Sequence, residues 1–271
     1  MRVYISADME GISGVVAPAH VDSQHAEYAR FRKLMTGDVN AAVRGAVAGG
    51  ASLVVVNDSH ADMRNILIEE LHAEAQLISG SPKPLSMMQG IEEGFDAAFF
   101  IGYHAGAGSA YAVLDHTWSG MVHSLRVNGQ TLGELGLNAG LAGWFKVPVV
   151  LVTGDVALTG EAQSLLPQAE VVAVKEGVGR YAAKCLPVGV SQARIEQAAQ
   201  RSLQGIRLPL VIPPPLTLSV DFTRSAHADV AELVPGSRRV DGRRIEYETG
   251  DWVDLYRVWR AVVGLASTVE R

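Results

Sequence analysis

The chain reads as an α/β protein built in three layers, α/β/α, around a largely parallel (mixed) sheet, with a smaller C-terminal α/β extension. Three observations predict this. Mainly apolar runs of strand length recur at Val3–Ala7, Leu53–Val56, Ala97–Ile101 and Val149–Thr153, and a strand without a polar side is one covered on both faces, as in parallel sheets. Between them stand segments with apolar residues at helical spacing, a β-α-β order that calls for right-handed crossovers. Pro209 and Pro213-Pro214-Pro215 then interrupt the pattern, dividing a core over residues 1–205 from an extension of the same body over residues 206–271.

Taken in order, the first strand ends at Asp8 and Glu10, and Gly11 gives the chain a sharp exit. The polar stretch Asp22 to Lys33 has helical character. Val39, Ala42, Val43, Ala46 and Val47 then make one apolar stripe, with Thr36 as the expected N-cap and Gly49-Gly50 as the stop. The second strand ends in Asn57-Asp58-Ser59-His60, and the third in Gly102-Tyr103-His104. A short unit between them covers Ile66 to Leu71 and a strand-like Gln76 to Ile78, before a Ser81-Pro82-Lys83-Pro84 loop. Asn128-Gly129 inside Leu125 to Leu132 is a strong hairpin signal. A Gly/Ala-rich helix runs from Gly133-Glu134 to Trp144, and the Val149 strand closes on Gly154-Asp155. Further helices are expected over Gly160 to Leu166, Ser191 to Leu203 and Asp251 to Ala266. Further strands are expected over Val171 to Val174 and Leu216 to Phe222, with an edge hairpin at Asp241-Gly242.

Bulk properties exclude several classes. A 271-residue chain that is 48% apolar and 19% charged can bury a substantial core. Its net charge of −6 leaves no basic footprint for nucleic acid. No apolar run approaches the ~20 residues of a membrane span, so no membrane partner is expected. Without a signal-peptide pattern at the start, a cytoplasmic protein is expected. A single cysteine, Cys185, permits neither an internal disulfide nor a zinc site of several thiolates, and it is expected to be a buried small apolar residue.

The chemistry lies at the strand ends. Asp8, His60 and His104 each stand at or just past the end of an apolar strand, and in a parallel sheet those ends line one crevice. Glu10, two residues from Asp8, points to the same side of an extended backbone. Two anions aimed at one point call for a cation or a shared proton. Glu134 opens a helix and either faces the same crevice or favours the helix dipole. Carboxylates and imidazoles without thiolate suit zinc, manganese or cobalt at hydrolytic sites. Asp8, Glu10, His60, His104 and Glu134 suffice for two metals if one carboxylate bridges. His116, after Asp115, is either a base beside the metals or an exposed loop histidine. A different metal-dependent amidase or hydrolase, or a non-catalytic small-ligand binding protein, shares the same residues as an alternative.

The motifs together resemble the D-aminopeptidases of the bacterial dipeptide-transport type, a family of dizinc metallopeptidases. The residues that carry the resemblance are Asp-Met-Glu-Gly-Ile-Ser-Gly from Asp8, Val-Asn-Asp-Ser-His ending at His60, and Gly-Tyr-His-Ala around His104. Gly-Glu-Leu-Gly-Leu-Asn-Ala from Gly133 and the later Val174-Lys175 add to it. The likeness extends to about residue 190. It implies that Asp8, Glu10, His60, His104 and Glu134 are ligands of two Zn2+ ions per chain, with Asp8 as the bridge, and that His116 is the catalytic histidine. It further implies release of N-terminal D-amino acids, D-alanine especially, from short peptides, and assembly as a ring-shaped homodecamer.

Overall fold

The computed structural model of the protein describes residues 1–205 and 207–269. Its strands are β1 Arg2–Ala7, β2 Leu53–Asp58, β3 Ala75–Ile78, β4 Ala97–Ile101, β5 Val122–Val127, β6 Gln130–Leu132, β7 Val149–Asp155, β8 Glu170–Gly179, β9 Ala182–Cys185, β10 Leu216–Phe222, β11 Arg238–Arg239 and β12 Arg244–Thr249. The helices are α1 Pro18–Val21, α2 Tyr28–Ala48, α3 Glu134–Trp144, α4 Val156–Leu165, α5 Val188–Ser202, α6 Ser225–Ala231 and α7 Trp252–Ala266. Among the described residues the strands form a seven-stranded sheet, β3-β2-β1-β4-β7-β8-β9, and a five-stranded sheet, β11-β12-β10-β5-β6.

The larger sheet is parallel from β3 to β8 and turns antiparallel at β9, which makes it the mixed, largely parallel sheet expected. β1 lies inside it, hydrogen-bonded to β2 on one side and β4 on the other. Its side chains alternate between two cores. Val3, Ile5 and Ala7 of β1, with Ala97, Phe99 and Ile101 of β4, pack under α2 and α5. Tyr4 of β1, with Ala98 and Phe100 of β4, faces α3, α4 and α7 on the other side. Helices on both faces explain why these strands read as continuous apolar runs.

The five-stranded sheet is antiparallel throughout. It unites β5 and β6, from the part expected as the core, with β10, β11 and β12 from the part expected as the extension. Leu125 and Val127, with Leu218 and Val220, join the core that also holds α3 and α7. Strands from before and after the prolines thus share one sheet.

Two local expectations change. α2 begins at Tyr28, so Thr36 is not its N-cap but an interior residue. The Thr36 hydroxyl donates to Arg32 O at 2.9 Å and accepts from Leu67 N–H at 3.1 Å, so a residue that resembles a cap is used to dock the next loop. Cys185 is exposed rather than buried, because it lies on the edge strand β9.

Candidate metal centre

The parallel arrangement brings the ends of β1, β2 and β4 side by side, and the side chains that follow them converge. His60 Nδ1 lies 3.4 Å from Asp8 Oδ1 and 3.2 Å from Glu10 Oε2. His104 Nε2 lies 3.5 Å from Asp8 Oδ2 and 3.3 Å from Glu134 Oε1. Asp8 thus turns one oxygen to each of two imidazoles, with Glu10 beside the first and Glu134 beside the second. His116 stands on the Glu134 side, its Nε2 3.8 Å from Glu134 Oε1 and its ring stacked on His104 at 4.0 Å between centroids. All six residues predicted from the sequence are in one place.

Each imidazole is set by its other nitrogen. His60 Nε2 faces Val21 O at 2.9 Å, His104 Nδ1 faces Ala105 O at 3.1 Å, and His116 Nδ1 faces Leu114 O at 2.8 Å. A carbonyl only accepts, so those nitrogens carry the protons. The nitrogens turned to the carboxylates are left to present a lone pair or a second proton. Such second contacts are how proteins orient imidazole ligands.

The cluster is buried, and the energetics follow. Burial and the nearby Glu10 charge push Asp8 up to about 7. Burial acts the same way on Glu10, but His60 outweighs it and holds the carboxyl well below its usual range. For His104 burial opposes the charge, yet Glu134 and Asp8 raise it to about 10. His116 moves down, because of its burial and the neighbouring His104. Without a metal ion, a proton on the imidazoles is the cation available to these carboxylates.

The donor set fits a metal. Asp8 Oδ2, Glu10 Oε2 and His104 Nε2 are enclosed and make no hydrogen bond, an arrangement that costs free energy unless another group meets them. Two groupings, Asp8-Glu10-His104 and His104-His116-Glu134, each place one ligand atom per residue within 4.8 Å of the others. Carboxylate oxygens and imidazole nitrogens are the ligands zinc takes when no thiolate is present.

Several residues within the quoted motifs support the cluster without belonging to it. Lys175 Nζ donates to the carbonyls of Glu10, Ile12 and Val15 at 2.5, 3.0 and 2.6 Å. Its three N–H groups are thereby matched one to one with carbonyls of the loop that carries Asp8 and Glu10. Gly11 lies in a turn closed by Ile12 N–H donating to Met9 O at 3.1 Å, and it also serves close approach. Its N–H donates to Gly102 O at 2.7 Å, and a Cβ there would stand 1.8 Å from Tyr103 O. Asn138, one helical turn after Glu134, donates to Tyr103 OH at 2.9 Å and accepts from Tyr256 OH at 2.8 Å, fixing α3 against β4 and α7. Tyr103 OH also shares a 2.7 Å hydrogen bond with Ser6 of β1.

The cluster opens into a cavity of about 250 Å³ lined by Asp8, Glu10, His60, His116, Glu134 and, from beyond the expected motifs, Trp118 and Arg260. A three-layer α/β/α fold with carboxylates and imidazoles gathered at its strand ends defines a hydrolase-like metal-binding class. A family model described as D-aminopeptidase matches residues 1–261. A D-aminopeptidase of Bacillus subtilis (strain 168) is 38% identical over 269 residues, 98% of each chain. A solved structure described as the Zn-dependent D-aminopeptidase DppA from Bacillus subtilis, a self-compartmentalizing protease, superposes with a TM-score of 0.97 at 36% identity, covering 100% of both chains. This chain belongs to the D-aminopeptidase family.

Proposed function

We propose that the protein is a zinc-dependent aminopeptidase that hydrolyses the N-terminal peptide bond of short peptides, those beginning with a D-amino acid such as D-alanine. In this reading Asp8, Glu10, His60, His104 and Glu134 hold two zinc ions, with Asp8 shared between them. The observation that carries it is Asp8, whose two oxygens face different imidazoles while Glu10 and Glu134 close the two sides. Family membership and the zinc dependence of the solved relative support the same reading.

When bound, zinc acidifies water towards a pKa of ~7 and polarises a carbonyl. The chain's own part is to place the peptide and move the proton. The free α-amino group of the peptide would dock at the floor of the cavity, where Asp8, Glu10 and Glu134 lie. His116 is the imidazole open to a substrate, with 21% of its side chain exposed against 9% for His60 and 1% for His104. With its Nδ1–H on Leu114 O, its Nε2 takes a proton from the water that adds to the carbonyl carbon. It then returns that proton to the departing amine as the C–N bond breaks. A lowered pKa keeps His116 neutral near pH 7, ready for the first transfer.

Assembly as a homo-oligomer, in its finer form a ring-shaped decamer, belongs to this reading and is supported by the description of the solved relative as self-compartmentalizing. A cytoplasmic location is supported by the exposed, unpaired thiol of Cys185, which suits a reducing compartment. No helix among the described residues is long and apolar enough to cross a membrane.

The test is metal analysis of protein purified without added metal, joined to a panel of D- and L-aminoacyl substrates. About two zinc equivalents per chain are expected from the ligand count, with turnover confined to D-aminoacyl substrates and lost on chelation. Full activity in metal-free protein would overturn the proposal. Preference for L-substrates would overturn its stereochemical half.

A further inference from the structure

The cavity above the carboxylate cluster contains one cationic side chain that the hydrolytic chemistry does not use. Arg260, on α7, lines the same cavity as Asp8, Glu10, His116 and Glu134. Its Nη1 donates to Lys83 O, and its guanidinium carbon stands 5.9 Å from the centroid of the Trp118 ring. Its Nε is enclosed and makes no hydrogen bond. Among the described residues it forms no ion pair, although every other Arg lining a buried carboxylate in this chain does so: Arg126 and Arg244 both hold Asp221. An enclosed guanidinium N–H without an acceptor is as costly as an enclosed carboxylate oxygen without a donor.

The fixtures around Arg260 lead back to the cluster on both sides. Trp118, under the guanidinium, donates its backbone N–H to Glu134 Oε1 at 2.7 Å. Lys83, whose carbonyl holds Nη1, is itself buried and donates to Asn57 Oδ1 and Asp58 O, both at 2.6 Å, at the end of β2. A long flexible side chain is thus pinned at a set place relative to Glu134 and His60. Pinning removes the rotamer freedom that an arginine otherwise loses when it grips a ligand.

A cavity with the carboxylate and imidazole cluster at its floor and a pinned guanidinium in its wall matches a substrate that reacts at one end and carries an anion at the other. A volume of about 250 Å³ is below the ~300–1,000 Å³ of sites for drug-sized ligands, so that substrate is small. We infer that Arg260, stacked on Trp118, binds the C-terminal carboxylate of the substrate and so selects peptides of two or three residues with a free acid end. This rests on the aminopeptidase reading and adds to it a ruler for peptide length. Arg260 is a binding residue, and its guanidinium fork suits a carboxylate in a way a lysine does not.

The experiment compares D-alanyl-D-alanine with its C-terminal amide on the zinc-loaded protein, for the natural chain and for Arg260→Gln and Arg260→Lys. The natural chain is expected to prefer the free acid. Arg260→Gln should lower the ratio of kcat/KM for acid over amide by roughly 10- to 100-fold, mostly through KM for the acid. Arg260→Lys should recover only part of that ratio. Equal losses on acid and amide would mark Arg260 as structural and overturn the inference, as would a natural chain indifferent to the acid end. Because that last comparison needs no substitution, the inference stays testable if a variant fails to fold. Failure of the zinc-loaded natural chain to cleave either compound would instead overturn the aminopeptidase reading, and the inference with it.

Discussion

Six side chains from five separate segments meet at the strand ends, and their burial makes protons and metal ions rivals for the same nitrogens. His104, raised to about 10 by Glu134 and Asp8 against the opposing effect of its burial, is protonated at pH 7 in the metal-free protein. A zinc ion needs the lone pair, so metal binding at pH 7 releases that proton and affinity falls as the pH falls. Calorimetry of zinc binding in buffers of different ionisation enthalpy should show release of at least one proton at pH 7. A buffer-independent heat would contradict it. His116 divides two roles that geometry alone permits, proton carrier or third partner of His104 and Glu134. His116→Ala is expected to reduce kcat about 100-fold or more with zinc content unchanged. Loss of one zinc equivalent would make it a ligand instead.

At the level of elements, the loop after β1 that carries Asp8 and Glu10 is held by a lysine from a strand more than 150 residues later in the sequence. Burial pushes Lys175 down to about 8, while three carbonyls in contact favour its charged form. Lys175→Met leaves those carbonyls without donors and is expected to cost at least about 2 kcal/mol, with zinc affinity reduced roughly 10- to 100-fold. Urea titration and zinc competition would measure both. Unchanged zinc affinity would show that the loop keeps its shape unaided. Asp8, His60 and His104 were legible in the sequence, because each combines a metal-binding side chain with the end of an apolar strand, two signals that coincide rarely. Arg260 and Trp118 gave no such signal. On α7 an arginine beside the buried stripe of Leu255, Val258, Trp259 and Val262 resembles any solvated helix position, and Trp118 lies in a loop without periodicity. The pairing of β5 with β10 was illegible for a different reason. Each strand shows its own apolar residues, but nothing local says which distant strand lies beside it.

For the whole molecule, two cores separated by the larger sheet set stability, and the carboxylate and imidazole cluster lies at the strand ends between them. Any ion that binds only the folded state adds to its stability. At ~100 times its Kd each zinc contributes about 2.7 kcal/mol, or roughly 5–10 °C in Tm for a chain of this size. A chelator should therefore lower the midpoint of thermal unfolding by about that amount per ion, and added zinc should restore it. An identical Tm with and without chelator would indicate that the cluster holds no metal.

The interior position of β1 has a consequence for the way the protein is made. β1 is made before its neighbours, yet it needs β2 and β4 beside it, Lys175 to hold its loop and Arg260 to complete the cavity above it. Order of synthesis and order of completion run in opposite directions. A growing chain carries Asp8 and Glu10 for most of its synthesis without the groups that enclose them, and such distant contacts make assembly slow. The cavity is finished only when α7 has emerged. A peptide-cleaving centre built this way stays incomplete on every partial chain the cell produces.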